Sequence, residues 1–316
     1  MAVLPLSSAT EIAAYESPPY TIPTNPADFP SHTEVSQTIH RINLLNAFGP
    51  TSFFPGARVL EIGCGQGTCT SVLAYAVSQQ NSHHQGDHQG EGHVDAIDPA
   101  PLTYGAPITL GQAQGYLSAG PLGGNITFTQ ADPLSFLSSD TTKKWDTAVM
   151  AHCLWYFPSP STLSEILEAL KGRVKRVCLA EWALRVSHPS AGAHVLAALA
   201  RGMLEATRRH GRSDENIQTP MSPATMRDVA EQAGWAVEAE EMVVPDAALD
   251  DGRWEVGTVI STRFVDDVAK EVGGNDERLG ALLRSAREAT VAATEAVGGL
   301  KKVTSMDVWV ATLVAK

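Results

Sequence analysis

The chain has 316 residues, 43% of them hydrophobic, and a formal charge of −12 from 23 Lys and Arg against 35 Asp and Glu. That length suits one α/β domain of about 200 to 250 residues with elaborations; so acidic a chain, with no basic cluster beyond the pairs at 143–144, 208–209 and 301–302, argues against nucleic acid, whose binding needs several phosphates neutralised. Nowhere do 18 apolar residues run uninterrupted, and Met1–Tyr15 has no basic, then apolar, leader, so neither a membrane span nor secretion is expected, while cysteines at 64, 69, 153 and 178 read as reduced thiols of a cytoplasmic protein.

In chain order, prolines at 18, 19, 23, 26 and 30 impose an irregular arm, after which Ser31 opens a helix through about Phe48. Residues 58 to 67, Arg-Val-Leu-Glu-Ile-Gly-Cys-Gly-Gln-Gly, predict an apolar strand running into Gly63, Gly65 and Gly67 and then a helix. Alternating glycines let backbone come close to a ligand, and a helix start presents unpaired N–H groups there, so this is a nucleotide-type cofactor loop. The second strand, Val94 to Ile97, ends at Asp98, where one carboxylate can grip a ribose diol by two hydrogen bonds. Asp98 lies 35 positions after Gly63 rather than the usual ~20. Residues 79–92, polar and glycine-rich throughout, account for the excess as a disordered surface insertion, and their histidines at 83, 84 and 88 lack the paired context of a metal site.

A third strand, Ile126 to Pro133, carries a second acid, Asp132; alone, that Asp-Pro would mean a turn or helix cap. Strand four is Trp145–Ala151, followed by His152 to Phe157, and strand five is Val174–Ala180, followed by Glu181-Trp182. A helix over 190–210 has a stripe of Leu196, Leu199, Met203 and Ala206, and Ser222-Pro223 caps another that ends at Gly234. Strand six spans about 236–244 and the last strand about 305–314. Between them, helices are predicted at about 258–272 and 276–297, the latter with Leu279, Leu282, Leu283 and Ala286 on one face.

The motif Glu61-Ile62-Gly63-Cys64-Gly65-Gln66-Gly67 resembles the first motif of class I S-adenosylmethionine (SAM) dependent methyltransferases, and the later landmarks follow in that family's order over about residues 56–245 and the last strand. The resemblance implies a doubly wound, mostly parallel seven-stranded α/β sheet with helices on both faces and added helical lid segments. It implies a layout of an arm and cover helix at 1–50 and a SAM-binding domain at 51–316; the helical segments 187–220 and 246–303, the latter where that family commonly has only a tight connection, are read from the chain itself as insertions that form a lid or a homodimer contact. It implies a cofactor site of Glu61, Gly63, Cys64, Gly65, Gly67, Asp98 and Pro99; Asp132, Pro133 and Leu134 at the adenine; and Ala151 and His152 after strand four. Tyr20, His40 and Arg41 are the candidates for the methionine carboxylate.

A sulfonium is already an excellent leaving group, so the protein mainly positions the reactants, excludes water and, for a hydroxyl acceptor, removes a proton. His152 is the best-placed base, with Glu181 and His188 behind it, and Trp155, Tyr156 and Trp182 are candidate walls for a small-molecule acceptor. Ala151-His152-Cys153-Leu154 is not the Asn/Asp-Pro-Pro-aromatic of amide and nucleobase methyltransferases, and Met150-Ala151 and Glu181-Trp182 do not supply the acids of metal-dependent catechol-type members. The reading is metal-independent methyl transfer to O, N, S or C, giving S-adenosylhomocysteine. The alternatives are a SAM-assisted cyclisation or rearrangement, a dehydrogenase, or a non-catalytic SAM-binding partner subunit.

Overall fold

The computed structural model describes residues 3–16, 32–78, 92–208, 213, 215–272 and 276–316. Tyr20, the prolines at 18 to 30, the histidines at 83, 84 and 88 and all but the last residue of the 79–92 insertion lie outside the described residues. Seven strands form one sheet: β1 (Arg58–Ile62), β2 (His93–Asp98), β3 (Ile126–Gln130), β4 (Thr147–Ala151), β5 (Arg176–Trp182), β6 (Trp235–Val243) and β7 (Val308–Ala315), in the order β3-β2-β1-β4-β5-β7-β6. All pair in parallel except β7, which runs antiparallel to both β5 and β6. Strand order reverses between β1 and β4, which places a ligand crevice beyond the carboxyl ends of those two strands.

Because side chains alternate along a strand, the central strands feed two cores. Val59, Val94, Val149, Cys178 and Val310 face a layer built on α1 (Ala9–Glu16), α2 (His32–Phe48) and α3 (Thr68–Ser78). Leu60, Ile97, Met150, Leu179 and Trp309 face the opposite layer, which holds α5 (Pro133–Ser139), α6 (Pro160–Leu170) and α8 (Pro223–Gln232). The helix α4 (Leu110–Ala119) follows β2, and its Thr109 makes a capping box with Gln112. Burial on both faces explains why these strands read as near-continuous apolar runs.

A third core joins α7 (Gly192–Glu205), α9 (Asp251–Ile260), α10 (Thr262–Glu271) and α11 (Glu277–Ala296). Thus the two insertions pack on one another, with α7 against both α9 and α11. The start of α9 is also tied to α2, where Thr33 Oγ1 donates to Asp250 Oδ2 at 3.1 Å and Gln37 Nε2 to Asp251 Oδ2 at 2.5 Å.

Several expectations need correction. The helix α1 was not foreseen, although Ile12 and Ala13 are wholly buried. The helix expected at 258–272 is two, because Ser261 is extended (ψ 165°) and breaks α9 from α10. The strand expected at 174–180 runs to Trp182, so Glu181 lies within β5 and not after it. On α7 the expected stripe holds only in part: Met203 packs on the third core, but Leu199 and Ala206 are exposed, and the buried face is Ala193, Ala197, Ala200 and Leu204. On α11, Leu283 is buried but Leu282 is exposed. Among the described residues no helix is long and apolar enough to cross a membrane.

Candidate active site

The apolar run of β1 stops at Ile62 because the next residues must turn under the tip of β2. Gly63 takes φ +78° and its N–H donates to Ile97 O at 2.8 Å, with Cys64 N–H on the same carbonyl at 3.1 Å. A Cβ on Gly63 would come 2.5 Å from the Cβ of Cys153, so the loops after β1 and β4 touch and only glycine fits between them. Gly65 differs. Its φ is +53°, but a Cβ there would meet no heavy atom within 4 Å. Its N–H donates to Asp98 Oδ2 at 2.9 Å, its carbonyl accepts from Gln114 Nε2 at 2.7 Å, and Asp98 Oδ1 accepts from Ala100 N–H at 2.8 Å. Gly67 follows and accepts the Ser71 N–H as α3 begins. This is a backbone cradle edged by a carboxylate, the arrangement an adenosyl-type cofactor requires.

Asp132 lies beside it through the hydrogen bond of Ala131 N–H to Asp98 O at 3.0 Å. Its Oδ1 caps α5 by accepting the Ser135 N–H at 3.0 Å, Pro133 is buried at the first helical position, and Leu134 is half-buried. Only one Asp132 oxygen is committed to that cap.

Across the crevice, β4 ends at Ala151 and His152 adopts φ +55°, a conformation that costs a non-glycine side chain energy and that marks functional turns. The His152 N–H is held by Ala180 O at 2.8 Å. Its ring Nε2 lies 2.9 Å from Nε2 of His40 on α2, and its Nδ1 is 3.4 Å from Glu181 Oε1. Trp182 packs against this group, stacked on His40 (ring centroids 5.9 Å apart, 6° between planes), 4.3 Å from His152 and edge-on to His194 on α7. Glu181 is fixed by three backbone donors: Leu154 and Trp155 N–H on Oε2 and its own neighbour Trp182 on Oε1.

Burial governs protonation here. It holds the His40 and His152 imidazoles well below the usual histidine range, with Arg41 adding to the effect, and lowers His194 to about 3. It lifts the Glu181 carboxyl to about 7, against its three N–H donors and the positive charge of Arg41. Glu61, wholly buried in β1, is likewise raised to about 7, opposed by the Thr70 hydroxyl at 2.5 Å and by Arg41. Arg41 therefore acts on Glu61, Glu181 and both histidines, and its buried Nη1 has no hydrogen-bond partner.

The structure thus brings Gly63, Cys64, Gly65, Asp98, Ala151, His152, Trp182 and Arg41 around one crevice. Trp155 packs inward at 2% exposure, donating Nε1–H to Met221 O at 3.0 Å, and Tyr156 is 45% exposed. Sequence reasoning missed His40 as the partner of His152, 112 residues away, and Gln114 as a strut of the glycine loop; no local signal marks either. A cavity of about 530 Å³ opens by α7, α9 and α10, lined by Tyr104, Arg201, Glu215, Ile217, Trp254 and Glu255. Arg201 is neutralised there by Glu215 at 2.6 Å and by Glu255.

A doubly wound sheet with a glycine cradle at its reversal point, edged by an acid at the tip of β2, defines a nucleotide-cofactor α/β protein. A methyltransferase-domain family model matches residues 34–240. Two methyltransferases of Diaporthe leptostromiformis, phomM' and phomM, are each 32% identical to this chain over 290 residues, covering 81% of it and 72% of the relative. Among solved structures it is similar to a cyclopropane-fatty-acyl-phospholipid synthase-like protein from Lactobacillus casei, with a TM-score of 0.77 and 29% identity over 98% of this chain and 99% of that one. The chain belongs to the class I SAM-dependent methyltransferases, and its cofactor is S-adenosylmethionine.

Proposed function

We propose that the protein methylates a small-molecule acceptor without a metal ion, the acceptor's proton leaving through the His152 imidazole. The observation that carries this reading is His152 itself: a histidine held at φ +55° on the tip of β4, beside the glycine loop and backed by Glu181. In this reading Asp98 grips the ribose diol, the spare oxygen of Asp132 and the half-buried Leu134 receive the adenine, and the unpartnered Nη1 of Arg41 takes the methionine carboxylate. The bound cofactor supplies a methyl group on a good leaving group. What remains for the protein is alignment, exclusion of water and proton removal. Burial keeps the His152 ring neutral at neutral pH, so one of its nitrogens carries a lone pair.

The 187–220 and 246–303 insertions are the lid over the acceptor. This is supported by their packing on each other, by the cavity beside α7, α9 and α10, and by the link from α9 to α2.

The test is calorimetric titration with S-adenosylhomocysteine and, separately, NAD, followed by labelled SAM offered to a panel of phenols, thiols and amines. Binding of S-adenosylhomocysteine alone and label transfer to a panel member is the expected result. Cofactor binding with no acceptor labelled, or label transfer undiminished in His152→Gln, would overturn the proposal.

A further inference from the structure

Three walls of the 530 Å³ cavity beside α7, α9 and α10 are tied to the cofactor crevice. Tyr104 belongs to the loop after β2, and Gln66 of the glycine loop holds that loop by donating Nε2–H to Ile108 O at 2.6 Å. Asn216 and Ile217 lead into a strap on the tip of β4, where the Gln218 and Thr219 N–H groups both donate to Trp155 O, at 2.8 and 3.0 Å, just beyond His152. Trp254 and Glu255 lie on α9, whose start is bonded to α2. A molecule in the cavity therefore rests on the loops that edge the crevice, and the volume falls within the ~300–1,000 Å³ of small-ligand pockets.

The charges on the walls say what kind of molecule fits. Arg201, Arg208 and Arg263 line the cavity, and carboxylates already claim all three. Arg201 donates to Glu215 Oε2 at 2.6 Å and also to Glu255. Arg208 stands 2.9 Å from Glu205 and 3.6 Å from Glu215, and Arg263 stands 3.5 Å from Glu215 and 3.7 Å from Asp267. Four lining carboxylates against three guanidiniums leave the walls net negative, and Glu271 adds a further acid 3.9 Å from Arg208. An anionic ligand would have to strip an arginine from its partners, whereas a cation meets surplus carboxylate. The aromatic lining acts in the same direction. Trp254 is 53% exposed and Tyr104 37%, and such ring faces attract a cation through their quadrupole.

We propose that this cavity holds the methyl acceptor, and that the acceptor carries a cationic group, an ammonium or guanidinium, seated against Trp254 and the wall carboxylates. This deepens the methyl-transfer reading above and rests on it. The cationic group selects the molecule, and the atom to be methylated lies at the crevice end. There the nucleophile's electron pair forms the new bond to the methyl carbon, the pair of the carbon–sulfur bond leaves with sulfur, and the nucleophile's proton leaves as above.

The test uses the full chain saturated with S-adenosylhomocysteine and titrated by calorimetry with three probes that share one phenol ring: tyramine with an ammonium arm, tyrosol with a hydroxyl, and para-hydroxyphenylacetate with a carboxylate. Tyramine should bind about tenfold or more tighter than tyrosol, with para-hydroxyphenylacetate the weakest. Trp254→Ala, at an exposed position, should weaken tyramine about threefold or more. Glu205→Gln combined with Asp267→Asn turns the lining net positive while leaving Arg201 both of its partners, and should place para-hydroxyphenylacetate ahead of tyramine. Both variants should bind S-adenosylhomocysteine as wild type does, which shows them folded. No binding of tyramine, equal or tighter binding of either other probe, or an order that the charge variant leaves unchanged would overturn the cationic assignment and leave methyl transfer standing. With the order as expected, labelled SAM completes the test. Label on tyramine in preference to the other two supports the proposal, and label on para-hydroxyphenylacetate in preference overturns it. Label on none sinks the methyl-transfer reading and the acceptor assignment with it.

Discussion

Gly63 and Gly65 lie two residues apart in one loop, yet substitution should separate them cleanly. Alanine at Gly63 must hold φ +78°, which costs a side chain about 1–2 kcal/mol, and its Cβ would sit 2.5 Å from Cys153 Cβ and 2.9 Å from Sγ. Cys153 cannot swing away, because its Sγ lies 3.1 Å from Ile62 O in a buried layer, so overpacking adds about 1–3 kcal/mol. The total, about 2–5 kcal/mol, is a large share of the 5–15 kcal/mol typical of a folded domain, and at roughly 2 °C per kcal/mol it lowers Tm by about 4–10 °C. Alanine at Gly65 carries only the backbone term, about 1 kcal/mol, because its methyl meets nothing within 4 Å. Because the space around Gly65 is open and lies at the proposed cofactor site, Gly65→Ala should weaken S-adenosylhomocysteine about tenfold or more, and Gly65→Val should abolish binding. Urea melts and calorimetry on the same preparations read both effects, and Cys153→Gly in the Gly63→Ala background should return the steric share. Equal destabilisation by the two alanines, or a Gly65→Val protein that binds as wild type, would refute the reasoning.

Asp98→Ala removes the acceptor for both Gly65 and Ala100 N–H, as well as the proposed ribose contact, and should cost about 2–3 kcal/mol of cofactor binding, roughly 30- to 150-fold, by calorimetry. Burial raises the carboxyl of Glu16 from 4.5 to about 8, so folding retains a proton that the unfolded chain releases above pH 4.5. Its contribution is fully present below pH 4.5 and is lost as pH climbs through 8. Glu16→Gln, which still accepts from Ser71 and Thr38, should therefore melt higher than wild type at pH 8.5, with the advantage gone at pH 4.5. Burial raises all four thiols, Cys178 to about 12, so none should be alkylated by iodoacetamide at pH 8 until the chain is unfolded; rapid labelling of native Cys64 or Cys153 would contradict the packing around Gly63.

The cofactor half was legible because its signals are local: an apolar run, glycines that must turn, an acid at the next strand tip. The helical insertions were legible only as helices. There, leucine spacing misled, since Leu199 and Leu282 face outward while Ala193, Ala197 and Ala200 form the contact, small residues serving where helices approach closely. α1 went unseen because Ala-Thr-Glu-Ile-Ala-Ala-Tyr-Glu has too few large apolar residues to show a stripe, although it packs on α2 and α3. The end of β5 was misread because a carboxylate rarely lies inside a buried strand; Glu181 does so by accepting three backbone N–H groups. The joining of His40 to His152 depends on how α2 packs on the sheet, a tertiary fact with no counterpart in spacing.

The antiparallel pair β6–β7 fixes Val243 opposite Val308, so the long segment between them leaves the sheet and returns to it at adjoining points of one ladder. Its two ends are held by the sheet whatever lies between, and lengthening or replacing the intervening helices changes the entropy of closure only slowly. The segment can therefore vary in length without opening the ladder, provided that it keeps its packing on α7 and the Thr33 and Gln37 hydrogen bonds that tie it to α2.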